Sequence, residues 1–457
     1  MDAFYGKRLV ILGLARQGKA LARFAAEAGA QVVVSDLRSP ELLQAALAEL
    51  SDLPIEFVLG EHPMSLLDNA DLLAISGGVP ADAPIVQEAQ RRGVLVTNDS
   101  QEFLRRAPTA VIGITGSAGK TTTTALTGVI GQVAGRRTWV GGNIGRPLIA
   151  DLHKMSPNDM VVQELSSFQL EIWTQSPRVA AVLNITPNHL DRHKTMAAYV
   201  NAKANILRYQ DSEGVAVLSA DDAGSFALRS LVRGRLRLFS LKREVADGAF
   251  VRNGRIWLRN GKETAVCTLS DIQLRGQHNV ANVLAAVTLA DSVGIEPAAM
   301  AEAIRTFKGV EHRLELVATI NGVQYINDSI ATAPERVLAA LDAIAEPIVL
   351  LAGGRDKDMS WEAWTNQVIH RVKHIVLFGD LAEMLEARLL AAAPDEMPER
   401  LTRVTSLDEA VAVAAKTAVS GDVVLLSPGG TSFDAFTDFA ERGEHFRQLV
   451  HNLAQKA

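Results

Sequence analysis

Cysteine and aromatic residues are scarce in this 457-residue chain, which has one cysteine and 5% aromatic residues. A single cysteine excludes an internal disulfide and is typical of a protein from a reducing compartment. The alternating segment around Cys267, with Thr264, Val266 and Thr268, favours a position in a strand, whereas a catalytic thiol would need a partnered base nearby. The cysteine content therefore predicts a cytoplasmic protein.

Clustered positive charge and long apolar runs are also absent from the sequence. Acidic residues outnumber basic ones by 52 to 46, which leaves a net charge of −6. Proteins that bind nucleic acids usually have clustered lysines and arginines, and no such cluster is present in the sequence. No stretch reaches the ~18 uncharged apolar residues of a membrane helix. The early Asp2, and Arg16 after the short apolar run 9–14, argue against a signal peptide. We expect a cytoplasmic monomer that binds neither nucleic acid nor membrane.

The length predicts two or three domains, since a typical domain has roughly 100–200 residues. Apolar residues make up 48% of the chain, enough for several cores. Buried-strand patterns alternate with helical periodicity in three blocks, which is typical of parallel sheets covered by helices. We predict an α/β fold of three domains: a Rossmann-like domain at 1–105, a central P-loop ATPase-like parallel sheet at 106–306, and a second Rossmann-like domain at 307–457.

The most informative segment is V-I-G-I-T-G-S-A-G-K-T-T at 111–122, an apolar strand followed by a glycine-rich loop and the start of a helix. Backbone N–H groups of such a loop bind phosphate oxygens, the lysine reaches the outer phosphates, and a threonine hydroxyl can bind magnesium. The usual pattern is G-x-x-x-x-G-K-[ST], and Ile114 stands where its first glycine would be. The segment predicts a nucleoside triphosphate site made of Gly116, Ser117, Ala118, Gly119, Lys120, Thr121 and Thr122.

Two polar residues follow predicted strands of the central block. Glu164 ends the strand 159–164, where it could hold magnesium, which prefers oxygen ligands, or could merely cap a helix. His189 follows the strand 179–186, where it could face the nucleotide or be an ordinary turn residue. Lys203, on the next helix, has by itself the pattern of a solvated lysine.

The first βαβ unit contains a turn that nearly matches a dinucleotide-binding fingerprint. The turn 13–18 reads G-L-A-R-Q-G, and Asp36 closes the next strand. Ala15 replaces the glycine that lets the backbone approach a pyrophosphate. A plain tight turn, a site for a non-redox nucleotide and a nicotinamide or flavin site are the three interpretations that this pattern leaves open.

Seven short motifs occur along the chain, in the order T-G-S-A-G-K-T-T (115–122), G-G-N-I-G (141–145), E-L-S-S-F-Q-L (164–170), N-I-T-P-N-H-L-D-R-H (184–193), G-Q-H-N (276–279), H-R (312–313) and N-D-S (327–329). Together they resemble the Mur ligases, the ATP-dependent amide-forming enzymes of peptidoglycan precursor synthesis. The resemblance runs from residue 6 to residue 443. The second and third motifs are most similar to the glutamate-adding branch of that family.

The resemblance implies a reaction and a set of substrates. ATP would phosphorylate the carboxylate of UDP-N-acetylmuramoyl-L-alanine, and the amine of D-glutamate would attack the resulting acyl phosphate. Metal ions and cationic side chains would stabilise the crowded anionic oxygens. The cofactors implied are ATP, Mg²⁺ and a carbamylated Lys203.

The resemblance also assigns roles to individual residues. Lys120 would be catalytic, and the metal ligands would be Thr121, Glu164, His189 and carbamylated Lys203. ATP would also contact Asn282, Arg313 and Asp328. The UDP-linked substrate would contact Asp36, Arg38, Ser76, Gly78 and Asn143, and the amino acid would contact Thr332, Lys357, Ser432 and Phe439.

Two departures from the family pattern bear on specificity. Ala118 stands where relatives often have asparagine, and Ile330 stands where they have a lysine that helps to hold glutamate. We expect Lys357 with Arg355 to carry the glutamate carboxylate instead. The alternatives are the same reaction with L-glutamate, another ligase of this superfamily such as a folylpolyglutamate synthase, a nicotinamide-dependent dehydrogenase, and a nucleotide-dependent switch without ligase activity.

Overall fold

A computed structural model of the chain describes residues 2–356 and 359–455. Within these residues the chain forms three β-sheets flanked by helices. It divides into two compact units, one of Met1–Gln273 with Gln277–Phe307, the other of Leu274–Gly276 with Lys308–Ala457. The first two sheets belong to the first unit and the third sheet to the second unit.

The first sheet is parallel, in the order β3-β2-β1-β4-β5. The apolar strands β1 and β2 are almost completely buried because helices cover both faces of the sheet, as in other parallel sheets. The elements are β1 Arg8–Leu12, α1 Arg16–Glu27, β2 Gln31–Asp36, α2 Gln44–Ala48, β3 Ile55–Leu59, β4 Leu72–Ile75, α3 Pro84–Arg91, β5 Leu95–Thr97 and α4 Asp99–Arg106, with short 3-10 helices at Pro40–Leu43 and Met64–Leu67.

The second sheet has the order β14-β13-β12-β11-β10-β9-β6-β8-β7. It is parallel from β7 to β12, and β13 and β14 add an antiparallel edge. Its strands are β6 Val111–Thr115, β7 Thr138–Gly142, β8 Met160–Glu164, β9 Val179–Val182, β10 Val215–Ser219, β11 Arg235–Ser240, β12 Gly248–Arg252, β13 Arg255–Asn260 and β14 Lys262–Thr268.

The helices around this sheet include the one that follows the phosphate loop. They are α5 Lys120–Val133, α6 Ser167–Leu170, α7 Leu190–His193, α8 Met196–Arg208, α9 Ala223–Ala227, α10 Gln277–Ser292 and α11 Pro297–Thr306, with 3-10 helices at Leu148–Lys154, Leu228–Leu231 and Leu269–Asp271. Cys267 is a buried free thiol in β14, as expected.

The third sheet has the order β15-β16-β20-β17-β18-β19. The predicted parallel sheet is confirmed from β16 to β19, and β15 adds an edge strand that runs antiparallel to β16. Asn321 and Gly322 join these strands with φ of 50° and 79°, and an Asn-Gly pair of this kind is the strongest local signal of a tight hairpin. The elements are β15 Glu315–Ile320, β16 Val323–Asn327, α12 Pro334–Ala343, β17 Ile348–Gly353, α13 Glu362–Arg371, β18 Val372–Phe378, α14 Ala382–Ala392, α15 Met397–Arg400, β19 Leu401–Arg403, α16 Leu407–Thr417, β20 Val423–Gly429 and α17 Phe439–Ala454.

The predicted α/β class with three sheet-based domains is confirmed. The proposed domain limits stay a prediction. Each helix in residues 2–356 and 359–455 is too short or too polar to cross a lipid bilayer.

Candidate active site

The phosphate loop connects β6 to α5, and its shape depends on Gly119. This residue has a φ of 81°, in the left-handed region that favours glycine. A Cβ atom there would collide with Oδ1 of the buried Asn282 on α10, so the predicted nucleotide residue Asn282 lies against the loop. Lys120 begins α5, and its Nζ donates to the carbonyl oxygen of Gly116 at 2.8 Å. Thr121 follows in the first helical turn, where a phosphate-binding loop places its hydroxyl.

The chain segment after β9 holds this loop in place. Asn184 accepts a hydrogen bond from the Ala118 N–H at 2.8 Å and donates to the Ala118 carbonyl at 3.1 Å. The Ser117 hydroxyl donates to the Thr186 carbonyl at 3.0 Å and lies 2.9 Å from the Tyr199 hydroxyl. These hydrogen bonds hold the phosphate loop in its conformation without a ligand, so the loop loses little conformational freedom when a nucleotide binds.

Lys203 is a buried lysine whose amine reaches the phosphate loop. Its side chain is 1% exposed, and Nζ donates to the Gly116 carbonyl at 3.0 Å and to Oγ1 of Thr115 at 3.3 Å. Burial lowers the pKa of Lys203 well below its usual value; the charge of Lys120 lowers it further, and Glu164 opposes the shift. Lys203 is therefore not a solvated helix lysine, and its surroundings favour the neutral, nucleophilic amine.

Glu164 ends β8 with a buried carboxylate. Oε1 accepts a hydrogen bond of 2.9 Å from the Asn143 amide, and Oε2 is buried without a hydrogen-bond partner in the described residues. The helix cap of α6 is Ser166, so Glu164 does not serve as that cap. A buried carboxylate oxygen is costly unless a cation or water satisfies it. The donor set therefore fits a cation such as Mg²⁺.

The protein supplies only part of the coordination that magnesium needs. Across the described residues, no group of three or more His, Cys, Asp or Glu side chains could hold a metal ion. Mg²⁺ commonly binds one or two carboxylates and takes its other ligands from substrate phosphates and water. Glu164 with Thr121 beside a phosphate loop fits that mode of binding.

His189 precedes α7 and lies beside the motif that follows Glu164. It has a φ of 54°, which is uncommon for a residue with a side chain. Its ring centroid lies 5.0 Å from that of Phe168, and the ring of the buried His193 stacks on Phe168 at 5.2 Å. Nε2 of His193 is 2.9 Å from the Ser167 hydroxyl. The two histidines thus place α7 against the E-L-S-S-F-Q-L motif.

The predicted substrate residues of the first sheet surround its first turn. Asp36 accepts hydrogen bonds from the Leu14 N–H at 2.7 Å and from the Arg38 guanidinium at 2.7 and 2.9 Å. Burial acts to raise the pKa of Asp36, but the bonds from Arg38 and the backbone outweigh it and hold the pKa at about 2. The Ser76 hydroxyl donates to the Gly13 carbonyl at 3.0 Å. These residues lie together, and Asp36 keeps its charge at any physiological pH.

In the second unit, Asp328 lies at the end of β16 and is fully enclosed. Its carboxyl group accepts hydrogen bonds from the Ser427 hydroxyl at 2.9 Å and from the Leu314 N–H at 3.2 Å. Burial raises the pKa of Asp328 to about 7, with the Ser427 bond and the charge of Arg313 opposing the rise. The two predicted nucleotide residues Arg313 and Asp328 are thus close enough to interact.

The predicted amino-acid residues Thr332 and Ser432 lie on loops of this unit, and Phe439 begins α17. The Ser329 hydroxyl donates to the Phe439 carbonyl at 2.7 Å. The buried Arg442 donates to the Ser329 carbonyl at 2.9 Å and to the Gly430 carbonyl at 3.2 Å. Burial lowers the pKa of Arg442 to about 10, with Asp434 opposing the shift. Arg442 thereby ties the N-D-S loop to the loop that carries the buried Ser432.

Arg336 lies beside Ile330 and Thr332. The carbonyl oxygen of Ile330 accepts hydrogen bonds from the Thr332 N–H at 2.9 Å and from the Arg336 guanidinium at 3.1 Å. Arg355 instead pairs with Asp380 at 3.0 Å. Lys357 lies outside the described residues.

Sequence reasoning missed several residues of this site. Asn184 could have been found, because it follows a parallel strand at the edge where ligands bind. Tyr199 lies on the same helix as Lys203, and a single tyrosine in a helical pattern carries no signal of a site. Nothing in the local pattern of E-R-G singles out Arg442, which is enclosed only because distant loops fold over it.

Comparison with known proteins bears on all three sheets. Family models match in chain order: "Mur ligase MurD-like, N-terminal domain" at residues 7–98, "Mur ligase middle domain" at 114–290 and "Mur ligase, glutamate ligase domain" at 312–430.

Full-length relatives share the same curated name, UDP-N-acetylmuramoylalanine--D-glutamate ligase. The chain is 40% identical to that protein of Pelotomaculum thermopropionicum over 454 residues and 42% identical to that of Symbiobacterium thermophilum over 451 residues. In both cases the match covers 98% of this chain and 98% of the relative.

Solved structures support the same fold at lower identity. UDP-N-acetylmuramate-alanine ligase MurC from Thermotoga maritima matches with a TM-score of 0.58 and 22% identity, over 98% of this chain and 99% of that chain. A structure of MurF from Acinetobacter baumannii also has a TM-score of 0.58, with 18% identity, over 98% of this chain and 93% of that chain.

Proposed function

Because the chain belongs to the Mur ligase family, we propose that it is the ATP-dependent ligase that joins D-glutamate to UDP-N-acetylmuramoyl-L-alanine. The observation that carries the proposal is the convergence of Lys120, Lys203 and Glu164 on one phosphate loop. A dehydrogenase or a simple switch has no use for this combination. The name shared by the full-length relatives supports D-glutamate as the amino acid.

The reaction brings the anionic oxygens of a carboxylate and of the ATP phosphates together, so the site must stabilise negative charge. The alanyl carboxylate attacks the γ-phosphorus of ATP, the bond to ADP breaks, and an acyl phosphate forms. The glutamate amine then attacks the acyl carbon, loses a proton and displaces phosphate. Lys120 and the loop N–H groups would hold the phosphate oxygens. When bound by Thr121, Glu164 and His189, Mg²⁺ would neutralise the phosphate charge.

We propose that the amine of Lys203 is carbamylated. A neutral lysine amine can attack the carbon of CO₂ and release a proton, which leaves a carbamate anion in place of a cation. The burial of Lys203 favours that neutral amine. The anion would lie near Glu164 and support the magnesium ligands, and it would relieve the repulsion between Lys203 and Lys120.

We assign the two substrates to separate loops. Asp36, Arg38, Ser76, Gly78 and Asn143 would receive the UDP-linked substrate, and Thr332, Ser432, Phe439 and Lys357 would receive glutamate. Asn282 and Asp328 would contact ATP with residues 116–122. We assign the glutamate carboxylate to Lys357 with Arg355, whose solvent-exposed ion pair with Asp380 can be exchanged for a substrate carboxylate.

The remaining parts of the proposal concern organisation. We place the domain limits at 1–105, 106–306 and 307–457, with the UDP-linked substrate, ATP and glutamate bound mainly by the first, second and third domain. The buried free thiol of Cys267 suits a reducing cytoplasm. The net charge of −6 suits a monomer without a nucleic-acid partner.

The test is ADP formation by the purified protein with ATP, Mg²⁺ and UDP-N-acetylmuramoyl-L-alanine. D-glutamate, L-glutamate and D-aspartate are offered in parallel, and a reaction without amino acid is the control. We expect rapid ADP formation with D-glutamate and a product one glutamyl unit heavier. Preference for L-glutamate would keep the ligase and refute the stereochemistry, and no turnover with any amino acid would refute the proposal.

A further inference from the structure

Arg192, on α7, reaches across to the loop that follows β4. Its Nη2 donates to the Val79 carbonyl at 2.7 Å, and its Nη1 donates to the Gly78 carbonyl at 3.3 Å. The same loop begins with Ser76, whose hydroxyl binds the Gly13 carbonyl in the first turn. Arg192 therefore connects a segment of the second sheet to the loop assigned above to the UDP-linked substrate.

The same guanidinium group also contacts the aromatic residue that supports His189. Cζ of Arg192 lies 4.8 Å from the centroid of the Phe168 ring, and that ring lies 5.0 Å from the ring of His189. The backbone N–H of Arg192 donates to the His189 carbonyl at 3.2 Å. The Arg192 side chain thus contacts both the loop after β4 and the ring of Phe168, which packs against His189.

The segment around His189 depends on such contacts for its shape. A left-handed backbone conformation is unfavourable for a residue with a side chain and persists only where its surroundings impose it. Helix α7 has four residues, and a single turn is too short to be stable alone. The position of His189 is therefore set by what α7 contacts, namely the substrate loop through Arg192 and the ring of Phe168.

We infer that Arg192 is a positioning residue, which couples the loop that receives the UDP-linked substrate to the turn that carries the metal-binding His189. This inference rests on the proposed function for the identity of the substrate. A planar guanidinium can donate to two carbonyls while its face lies on a ring, whereas a lysine ammonium offers a point charge without that geometry. Substrate that orders the loop at Gly78 and Val79 would in this way also order His189.

The experiment compares Arg192→Met and Arg192→Lys with the wild type and with a matched control, Arg229→Met. Arg229 makes the same kind of contacts away from the site, since its Cζ lies 4.2 Å from the Phe226 centroid and its Nη1 donates to the Phe226 carbonyl at 3.0 Å. Calorimetry measures the affinity for UDP-N-acetylmuramoyl-L-alanine and, without magnesium, for ADP. Steady-state kinetics measure kcat, KM and the Mg²⁺ concentration that gives half the maximal rate.

We expect Arg192→Met to bind UDP-N-acetylmuramoyl-L-alanine about tenfold more weakly, as the loss of hydrogen bonds to a charged group implies. Its Mg²⁺ requirement should rise and its kcat fall, while the affinity for ADP stays unchanged. Arg192→Lys should recover part of the loss, and Arg229→Met should behave like the wild type.

Two results would overturn the inference. One is an Arg192→Met protein with unchanged substrate affinity and Mg²⁺ requirement. The other is a general loss that includes ADP binding, which would mean that Arg192 merely maintains the fold. A wild-type protein that binds the UDP-linked substrate but forms no ADP would refute the proposed function, and the calorimetric comparison would still decide the role of Arg192.

Discussion

Lys120 and Lys203 donate hydrogen bonds to one acceptor, the carbonyl oxygen of Gly116, at 2.8 and 3.0 Å. Burial lowers the pKa of Lys203 well below its usual value, and repulsion from the ammonium group of Lys120 at the same carbonyl lowers it further. The two lysines can therefore have different roles. Lys120 serves as the cation for phosphate, and Lys203 serves as an amine that can be converted into an anion.

Replacement of Lys120 should remove most of the activity. Lys120→Ala takes away a charge donor held in place beside the phosphates, and loss of one such group costs roughly 10²–10³ in rate. ADP formation with saturating substrates measures the effect, with the exposed Lys262→Ala as the control. Equal turnover in the two variants would contradict the assignment of the phosphate loop.

Lys203→Ala should be nearly inactive, and short carboxylates such as acetate should restore part of its activity. Acetate can occupy the space left by the side chain and supply the anion that the carbamate would provide. The measurement is turnover against acetate concentration, with chloride at equal ionic strength as the control. A fully active Lys203→Ala protein, or no difference between acetate and chloride, would count against the carbamate.

The pKa of Lys203 also predicts a gain in stability on its replacement. The unfolded chain holds the lysine proton up to about pH 10.5, whereas the folded chain releases it at lower pH. The unfolded state thus binds more protons in between, so this group makes wild-type stability rise with pH toward that value. Lys203→Met should therefore have a higher Tm than the wild type at pH 7 in buffer freed of CO₂. Thermal scans that show a lower Tm would refute this sign.

Asp99 should make stability fall as the pH rises. Burial raises its pKa to about 7 against an ordinary 3.8, with the Ser100 backbone and the charge of Arg16 opposing the rise. Between these values the folded state binds more protons than the unfolded state, so ionisation at higher pH opposes folding. The Tm of Asp99→Asn relative to the wild type should increase from pH 4 to pH 7. An exposed control, Asp395→Asn, is measured over the same pH range, and parallel curves for both variants would refute the prediction.

Recognition of the glutamate carboxylate should depend on Arg355 and Lys357. Arg355→Gln and Lys357→Ala should each raise the KM for glutamate much more than the KM for ATP, because a contact to a carboxylate in a closed site is worth on the order of 2–5 kcal/mol. Arg336→Gln is the comparison, since its guanidinium already donates to the Ile330 carbonyl, and its effect should be smaller. If only Arg336→Gln raises the KM for glutamate, the assignment to Arg355 is wrong. Ile330→Lys should then be tested for tighter glutamate binding.

The amino-acid sequence by itself determined the fold class and the place of the nucleotide. Buried parallel strands have continuous apolar sequences, and the glycine-rich turn before Lys120 spans only a dozen residues. Both signals are local, so both can be recognised without the tertiary structure. The Asn321-Gly322 pair is also a local signal, so the hairpin between β15 and β16 is predictable from the sequence as well. The end of β9 is less well defined by the sequence: the strand was expected to reach residue 186 but ends at Val182, because Leu183 and Ile185 continue the apolar pattern.

Only the tertiary structure decided the state of the charged groups. No spacing in the sequence shows that Lys203 is buried against the Gly116 carbonyl, that Oε2 of Glu164 has no hydrogen-bond partner in the described residues, or that Arg192 reaches Gly78. Burial and hydrogen bonding depend on which distant segments fold over a side chain, and these two quantities set its pKa and its partners. The chemistry of the site therefore follows from contacts between residues that lie about 20 to 115 positions apart in the chain.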